Sequence, residues 1–349
     1  MNRLTTAYPP PMRRPACLAL LAAALLAAGC GGSSPSGAAP APRGPEDARL
    51  RAELAKATSV APGAFPATNG RTLQQVSDTI TSTGPQLAFA TSVLTTGKRE
   101  RLAFGLIDQG KRFLYAPTAL YLARSGGKAK ARGPFVAPAD LLITDAPFRS
   151  KTAAHEESLF AAVYAATVPF DAPGSYDVLA VAKVDGRDVA AGAQVKVVRP
   201  AQDKIPDVGE RPPAVATDTL ASAGGDVKAI DTRVPPGTMH DASFADVLAK
   251  KPTILLFATP QLCQSRVCGP VVDVAEQLKR TYAERVQFIH QEVYVDNVVD
   301  KGLRPPLEAF HLRTEPWLFA VNAEGRITAR LEGSFGFNAF ERAIKSALR

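Results

Sequence analysis

Two cysteines in the C-terminal part of the chain, Cys263 and Cys268, lie where a predicted strand passes into a predicted helix. Residues Thr253 to Ala258 form a continuous apolar run, which is typical of a strand buried on both faces. Apolar side chains from Val271 to Leu278 then recur on one helical face. The other two of the four cysteines lie within the first 30 residues. The pair at the strand-to-helix junction is therefore where this chain would carry thiol chemistry.

The N-terminus has the composition of an export signal. An apolar stretch from Leu18 to Ala28 follows several arginines and is shorter than the ~20 residues that span a bilayer. The segment Ala27-Ala28-Gly29 stands directly before Cys30. This ending resembles the lipobox of bacterial lipoproteins, although Leu26 stands one residue earlier than in the commonest form. The resemblance implies a signal peptide over residues 1–29 and a lipidated Cys30; a cleaved export signal without lipid is the alternative.

Residues 30–45 are predicted to be a flexible tether, because Gly, Ser, Ala and Pro with almost no charge cannot bury a core. Residues 46–84 contain two segments that favour short helices, Glu46 to Ala57 and Thr72 to Ser82. With 349 residues and 46% apolar side chains, the rest of the chain suffices for two compact domains. No later segment reaches the ~18 apolar residues of a membrane span.

The formal net charge of +8 describes a mildly basic protein. Lysines and arginines are scattered, without a run of five, and no nucleic-acid-binding module is recognisable. A solvated surface accounts for this charge, and we expect no nucleic-acid partner.

Residues 85–200 change to short runs of alternating apolar and polar residues. The runs Leu159 to Phe170 and Tyr176 to Val184 flank the turn Asp171-Ala172-Pro173-Gly174, and Asp185-Gly186 supplies the next turn. Such alternation predicts a β-sandwich. Tyr176, placed just after the first turn, resembles the tyrosine corner of immunoglobulin-like domains. We expect an N-terminal immunoglobulin-like β-sandwich that acts as a spacer or docks a partner.

Residues 201–238 are rich in Pro, Gly and Ala and are predicted to be an interdomain linker. In residues 239–349 the periodicity alternates between helix and strand. The predicted order is helix, strand, helix, strand, helix, strand, strand, helix, with the last two strands joined as a hairpin around Asn322-Ala323-Glu324-Gly325. The expected fold class is thus multidomain: a β-sandwich followed by an α/β domain.

This order, the cysteine pair at the first strand-to-helix junction, and the segment Thr314-Glu315-Pro316 before the hairpin resemble the thioredoxin fold over roughly Asp241 to Arg349. With the leader and tether, the chain is similar to the membrane-anchored, extracytoplasmic thioredoxin-like proteins of bacteria. The resemblance implies a cis proline at Pro316 that packs against the active disulfide, with Glu315 beside the substrate. An ordinary trans proline that starts a strand is the alternative.

Four residues separate Cys263 from Cys268, whereas the thioredoxin family usually has two. Positions five apart in a regular helix rise about 7.5 Å, and a disulfide needs Cα atoms about 4.4 to 6.8 Å apart. We therefore expect Cys263 in the loop and Cys268 at the helix start, before Gly269 and Pro270. Exposure favours Cys263 as the attacking thiol and Cys268 as the resolving thiol. The reverse order stays open, because Cys268-Gly269-Pro270-Val271 mimics the family's Cys-Gly-Pro-Cys.

The resemblance leaves the proton acceptor unassigned. Many thioredoxins bury an Asp where this chain has Leu256, and no Trp precedes Cys263. His290 and Glu292 are the candidates for acid–base work, since both lie towards the carboxyl end of a predicted central strand, where open α/β sheets place ligands. A hydrogen-bonded structural role is the alternative for His290.

These features predict a membrane-anchored, extracytoplasmic thiol-disulfide oxidoreductase that acts on thiols or disulfides of envelope proteins. Such exchange needs no cofactor, and no metal site is predicted. Three alternatives stay open. They are a static disulfide between the two cysteines, a Cu(I)-binding metallochaperone on the same fold with His290 or His311 as a further ligand, and a non-catalytic envelope adaptor.

Overall fold

The computed structural model describes residues 45–80, 82–109, 112–151 and 160–349. The predicted signal peptide (residues 1–29), Cys30 and the tether up to residue 44 lie outside the described residues. The described residues belong to one compact unit. Within the described ranges, no helix is both long enough and apolar enough to cross a membrane.

Six α-helices are described, and most of them are short. Their bounds are α1 Pro45–Thr58, α2 Leu73–Ser77, α3 Phe244–Val247, α4 Cys268–Tyr282, α5 Pro305–Ala309 and α6 Phe337–Ala347. The predicted helix from Thr72 to Ser82 is shorter in the structure. It begins with a capping box, in which the Thr72 hydroxyl accepts from the Gln75 backbone N–H and the Gln75 side chain accepts from the Thr72 backbone N–H.

The N-terminal half of the compact unit consists mainly of strands arranged in two sheets. The strands are β1 Ser82–Thr83, β2 Gln86–Phe89, β3 Arg99–Ile107, β4 Thr118–Arg124, β5 Arg132–Val136, β6 Ala139–Leu141, β7 Ala162–Pro169, β8 Gly174–Val184 and β9 Arg187–Val197. One sheet has the order β1-β9-β8-β4-β5, and the other has the order β2-β3-β7-β6. All pairs are antiparallel except β1 with β9.

Side chains from both of these sheets meet in one buried cluster. Leu102 and Phe104 contribute from β3, and Leu120 and Val178 contribute from β4 and β8. In β8, the Tyr176 hydroxyl donates at 2.9 Å to the backbone carbonyl of Ala172, just before the strand, which is the kind of contact that a tyrosine corner makes. The structure therefore has two sheets around a common core, while the immunoglobulin-like class stays a prediction.

The third sheet belongs to the C-terminal part. Its strands are β10 Thr253–Phe257, β11 Gln287–Gln291, β12 Trp317–Val321 and β13 Ile327–Glu332. The order is β11-β10-β12-β13, in which β10 runs parallel to β11 and antiparallel to β12. The hairpin of β12 and β13 completes the sheet. The elements follow the predicted order.

Helices cover both faces of this third sheet. On one face Ile254 and Leu256 pack with α4 and α6, and on the other face Leu255 and Phe257 pack with α3 and α5. Alternate residues of β10 therefore serve two cores, which explains why the strand reads as a continuous apolar run.

The two-sheet part and the α/β part contact each other through buried polar groups. The Asp140 carboxylate of β6 accepts hydrogen bonds from the backbone N–H groups of Gly336, Asn338 and Ala339 at 2.8 to 3.1 Å. These N–H groups lie at the start of α6, where helical hydrogen-bond partners are missing. The Glu332 carboxylate accepts in the same way from the backbone N–H groups of Ser92 and Val93, both at 3.0 Å.

Close backbone approach leaves no room for side chains at this contact. A Cβ atom at Gly333 would collide with the Ala90 carbonyl, and a Cβ atom at Gly336 would collide with the Leu141 carbonyl. Gly333 also has a φ of 70°, which favours glycine.

We predict that Asp140→Ala destabilises the protein by about 2 to 3 kcal/mol, because three backbone donors at a buried helix start lose a charged acceptor. Urea unfolding at pH 7 measures the change. Asp300→Ala, at an exposed acid, is the control and should stay within about 0.5 kcal/mol of wild type. Equal stability of the two variants would show that the contact between the two parts does not depend on this carboxylate.

Candidate functional site

The two cysteine side chains lie together at the carboxyl end of β10. Cys268 is the first residue of α4, and Cys263 lies in the loop before it. Within that loop, the Arg266 backbone N–H donates to the Cys263 carbonyl at 3.1 Å, and Arg266 has a φ of 59°. This turn brings the two Sγ atoms within 4.8 Å of each other despite the four intervening residues. No disulfide joins them.

Cys263 has the environment of a thiolate. The Cys268 thiol donates to its Sγ, and this contact, together with the Ser265 hydroxyl at 3.2 Å and backbone N–H groups of Ser265 and Cys268, outweighs burial. The pKa of Cys263 is lowered to about 6. A sulfur next to a helix N-terminus is also favoured as an anion by the helix dipole.

Cys268 has the opposite character. Its side chain is fully buried, whereas Cys263 is 8% exposed. Burial raises the pKa of Cys268 well above its ordinary value, and the hydrogen bond to Cys263 and the negative charge there raise it further. The two thiols are therefore unequal: Cys263 carries the charge and the exposure, and Cys268 holds the proton.

Glu315 and Pro316 lie beside this pair. The Glu315–Pro316 peptide bond is cis, and a carboxylate oxygen of Glu315 lies within 4.8 Å of both Sγ atoms. Burial, with the negative charges of Cys263 and Glu292, raises the pKa of Glu315 to about 7. A carboxyl group that titrates near neutral pH therefore faces both thiols.

The candidate acid–base residues His290 and Glu292 have their partners elsewhere. His290, at β11, is fully buried, and its Nε2 donates to the Ala258 carbonyl at 3.0 Å. Glu292 follows the end of β11 and accepts from the backbone N–H and hydroxyl of Thr232 at 2.7 and 2.6 Å. An acid–base role for either residue stays a prediction, because their hydrogen bonds connect them to the segment around Thr232 and to Ala258.

The sequence reasoning missed two residues of this region, Asp231 and His240. Both are buried, in a part of the chain without regular strands, at and just beyond the predicted linker. Asp231 accepts from the backbone N–H groups of Arg233 at 2.8 Å and Gly237 at 2.6 Å, and from His240 Nε2 at 3.1 Å. They lie outside any periodic pattern, so no sequence signal indicates them.

Asp231 and His290 influence each other's charge. Burial opposes ionisation of Asp231, but hydrogen bonding and the two neighbouring imidazoles hold its pKa well below the usual range. Burial likewise opposes a charged His290, yet the Asp231 carboxylate outweighs it and raises the pKa of His290 to about 9. The separation between His290 Nδ1 and Asp231 Oδ2 is 3.8 Å.

A buried ion pair fixes the helix that carries Cys268. Arg233 Nε donates to Asp273 of α4 at 2.8 Å, and its terminal nitrogens donate to the carbonyls of Pro235 and Phe148, both at 2.7 Å. The other oxygen of Asp273 accepts from the Ser150 backbone N–H at 2.8 Å. The predicted linker thus holds α4 against the two-sheet part.

The described residues contain two groups of three or more side chains that could hold a metal ion. One group is Asp231, His240 and His290, and the other is Cys263, Cys268 and Glu315. Neither His290 nor His311 belongs to the group with the thiols, and His311 is exposed. The structure does not bring together the two-cysteine, one-histidine set considered for Cu(I).

Comparisons with known proteins give little similarity. No protein-family model matches the chain, and no curated protein matches it significantly. Among solved structures, the chain is similar to one described as a thiol:disulfide interchange protein DsbE from Chlorobium tepidum. The identity is 15%, the match covers 41% of this chain and 99% of that chain, and the TM-score is 0.30.

Proposed function

We propose that this protein carries out thiol–disulfide exchange through Cys263 and Cys268 on a thioredoxin-like α/β domain. The observation that carries the proposal is the unequal pair of thiols in contact at the carboxyl end of β10. A lowered pKa makes Cys263 an anion at neutral pH, and the thiolate is the nucleophile in this chemistry. The fully buried Cys268 is held ready to act second.

The reaction proceeds in two displacements. The Cys263 thiolate attacks one sulfur of a partner's disulfide, a new S–S bond forms, and the other partner sulfur leaves as a thiolate. Cys268 then loses its proton and attacks the Cys263 sulfur, which releases the second partner thiolate. The partner gains two electrons, and the Cys263–Cys268 pair becomes a disulfide. The reverse sequence oxidises a partner dithiol.

Glu315 is suited to accept the proton of Cys268 in the second step. Its carboxylate faces both sulfurs, and a pKa of about 7 matches a base that works near neutral pH. Leu256, at the position where many thioredoxins bury an Asp, offers no proton acceptor. The Glu315 carboxylate, before the cis proline, would supply the proton acceptor that Leu256 cannot provide.

The protein acts outside the cytoplasm in this proposal, tethered by a lipid on Cys30. The support is the composition of residues 1–29 and the small residues before Cys30. Its partners are thiols or disulfides of envelope proteins, which belong to a compartment where disulfides persist. An immunoglobulin-like sandwich over residues 85–200 then serves as a spacer between the anchor and the α/β domain, or as a module that docks a partner.

We expect the mature protein to begin at a Cys30 that carries a diacylglycerol on its sulfur. Mass spectrometry of the N-terminal peptide from cell membranes measures this. Cys30→Ala should abolish the modification and release the protein from the membrane fraction. A mature N-terminus at Gly31 or later, without lipid, contradicts the anchor but leaves the exchange chemistry untouched.

Cys268→Ala should accumulate mixed disulfides with partners through Cys263, because the second displacement is lost. Cys263→Ala should trap none, and the double variant is the control; non-reducing electrophoresis with mass spectrometry identifies the products. The Cys263–Cys268 couple should have a reduction potential above about −300 mV, in the range of labile disulfides. A lower potential without exchange would identify a structural disulfide.

Glu315→Gln should slow the second displacement by about ten- to a hundredfold. The substrate is a mixed disulfide between Cys263 and 5-thio-2-nitrobenzoate in a Cys17→Ala, Cys30→Ala background, and absorbance follows release of the coloured thiolate. The wild-type rate should rise with pH as Glu315 loses its proton and becomes a base, with an apparent pKa above that of an ordinary carboxyl group because burial raises it. The Cys263 charge that raises the pKa of Glu315 further in the free dithiol is absent from the mixed disulfide.

The Glu315→Gln variant should lack that inflection, and Glu315→Asp should keep part of it. Glu324→Gln, at an exposed turn, is the matched control and should behave like wild type. If Glu315→Gln keeps the wild-type pH profile, another group accepts the proton.

A further inference from the structure

Asp231, His240 and His290 form a second cluster of potential ligands, separate from the thiols. One nitrogen of each ring and one carboxylate oxygen all lie within 4.8 Å of one another. The three residues are buried, with exposures of 2%, 3% and 0%. They come from different places in the fold, since His290 lies in β11 while Asp231 and His240 lie in an irregular segment, whose Met239 carbonyl accepts from the His290 backbone N–H at 3.0 Å.

Two of the three separations in this cluster fit ligands of one small metal ion, and the third, between the two imidazole nitrogens, is at most 4.8 Å. Zinc binds imidazole nitrogen and carboxylate oxygen at about 2.0 to 2.2 Å, so two ligands of one ion can be at most about 4.2 Å apart. His240 Nε2 and His290 Nδ1 lie 3.1 and 3.8 Å from Asp231 Oδ2. The longer of these is too long for a hydrogen bond but lies within the range for two ligands.

The hydrogen bonds around the cluster leave ligand atoms available. Because a carbonyl only accepts, the bond to Ala258 places a proton on His290 Nε2. Nδ1 of His290 is buried and, among the described residues, has no hydrogen-bond partner, although it faces Asp231. His240 faces Asp231 with Nε2, so this nitrogen binds an ion only after it loses the proton that it donates to the carboxylate. A lone pair next to a carboxylate is repelled unless a proton or a cation lies between them.

The surroundings hold the candidate ligands in place. Backbone N–H groups of Arg233 and Gly237 donate to the Asp231 carboxylate, and the Ala258 carbonyl orients the His290 ring. Such outer hydrogen bonds are the usual means of fixing metal ligands.

We propose that Asp231, His240 and His290 bind a divalent transition-metal ion, with Zn²⁺ as the ion that suits two imidazoles and one carboxylate best. The ion joins the irregular segment to β11 and leaves a fourth position for a further ligand. This proposal does not depend on thiol–disulfide exchange.

Titration of the EDTA-treated full chain with Co²⁺ tests the site, in a Cys17→Ala, Cys30→Ala background. We expect one Co²⁺ per chain, with visible d–d bands and without the intense near-ultraviolet band of sulfur-to-metal charge transfer. Binding should persist in Cys263→Ser/Cys268→Ser. It should weaken at least about 100-fold in His240→Gln and in His290→Gln, since losing a ligand costs at least as much as losing its outer partner. His311→Gln is the matched control.

The melting temperature with and without Zn²⁺ is a second measurement, which separates loss of metal binding from loss of folding in the variants. Zn²⁺ should raise the melting temperature of the wild type and of His311→Gln, because an ion bound to the folded state stabilises it, and should leave His240→Gln unchanged. The proposal is overturned if the wild type binds neither ion, if the histidine variants bind like wild type, or if the thiol double variant loses binding. A protonated His290 paired with Asp231, without metal, would then account for the cluster.

Discussion

The buried ion pair between Arg233 and Asp273 is the interaction on which the arrangement of the site depends. Its partners join three parts of the chain: the predicted linker, helix α4, and the loop of Phe148 and Ser150 beside the two-sheet part. Buried charges need hydrogen bonds, and each nitrogen of the Arg233 guanidinium and each oxygen of the Asp273 carboxylate has one. Because α4 begins with Cys268, the ion pair also fixes where the Cys268 thiol lies.

Burial separates the two thiols into different chemical roles. Cys263 keeps a small exposure and receives hydrogen bonds, so its anion is stabilised; Cys268 has no exposure and supplies one of those bonds. Neither effect requires a basic side chain. Burial and the negative charge of Cys263 oppose the ionisation of Glu315 and raise the pKa of its carboxyl group to about 7. Hydrogen bonds to Cys263, together with desolvation and neighbouring anions at Cys268 and Glu315, therefore set where the protons lie in this site.

The sequence was sufficient for features that depend on periodicity and local chemistry. The strand–helix order of residues 239–349, the placement of Cys268 at a helix start, and Pro316 before a hairpin all follow from such patterns. The turn at Arg266 brings the two thiols together and depends on a positive φ at that residue. No residue of Gln264-Ser265-Arg266-Val267 predicts this conformation. The sequence did not predict Asp231 and His240 as site residues, because their segment has no regular periodicity and His290, with which they cluster, is distant in the chain.

Gly333 and Gly336 limit how the C-terminal α/β part can be separated from the two-sheet part. The backbone of each glycine lies against a carbonyl of the two-sheet part, and the Asp140 carboxylate accepts from the amide groups of Gly336, Asn338 and Ala339. A recombination boundary placed near residue 200 would strip these amides and the Glu332 carboxylate of their acceptors and donors. The C-terminal third therefore cannot be moved unchanged into another protein. A different N-terminal domain fused to it would need backbone carbonyls in the places of the Ala90 and Leu141 carbonyls.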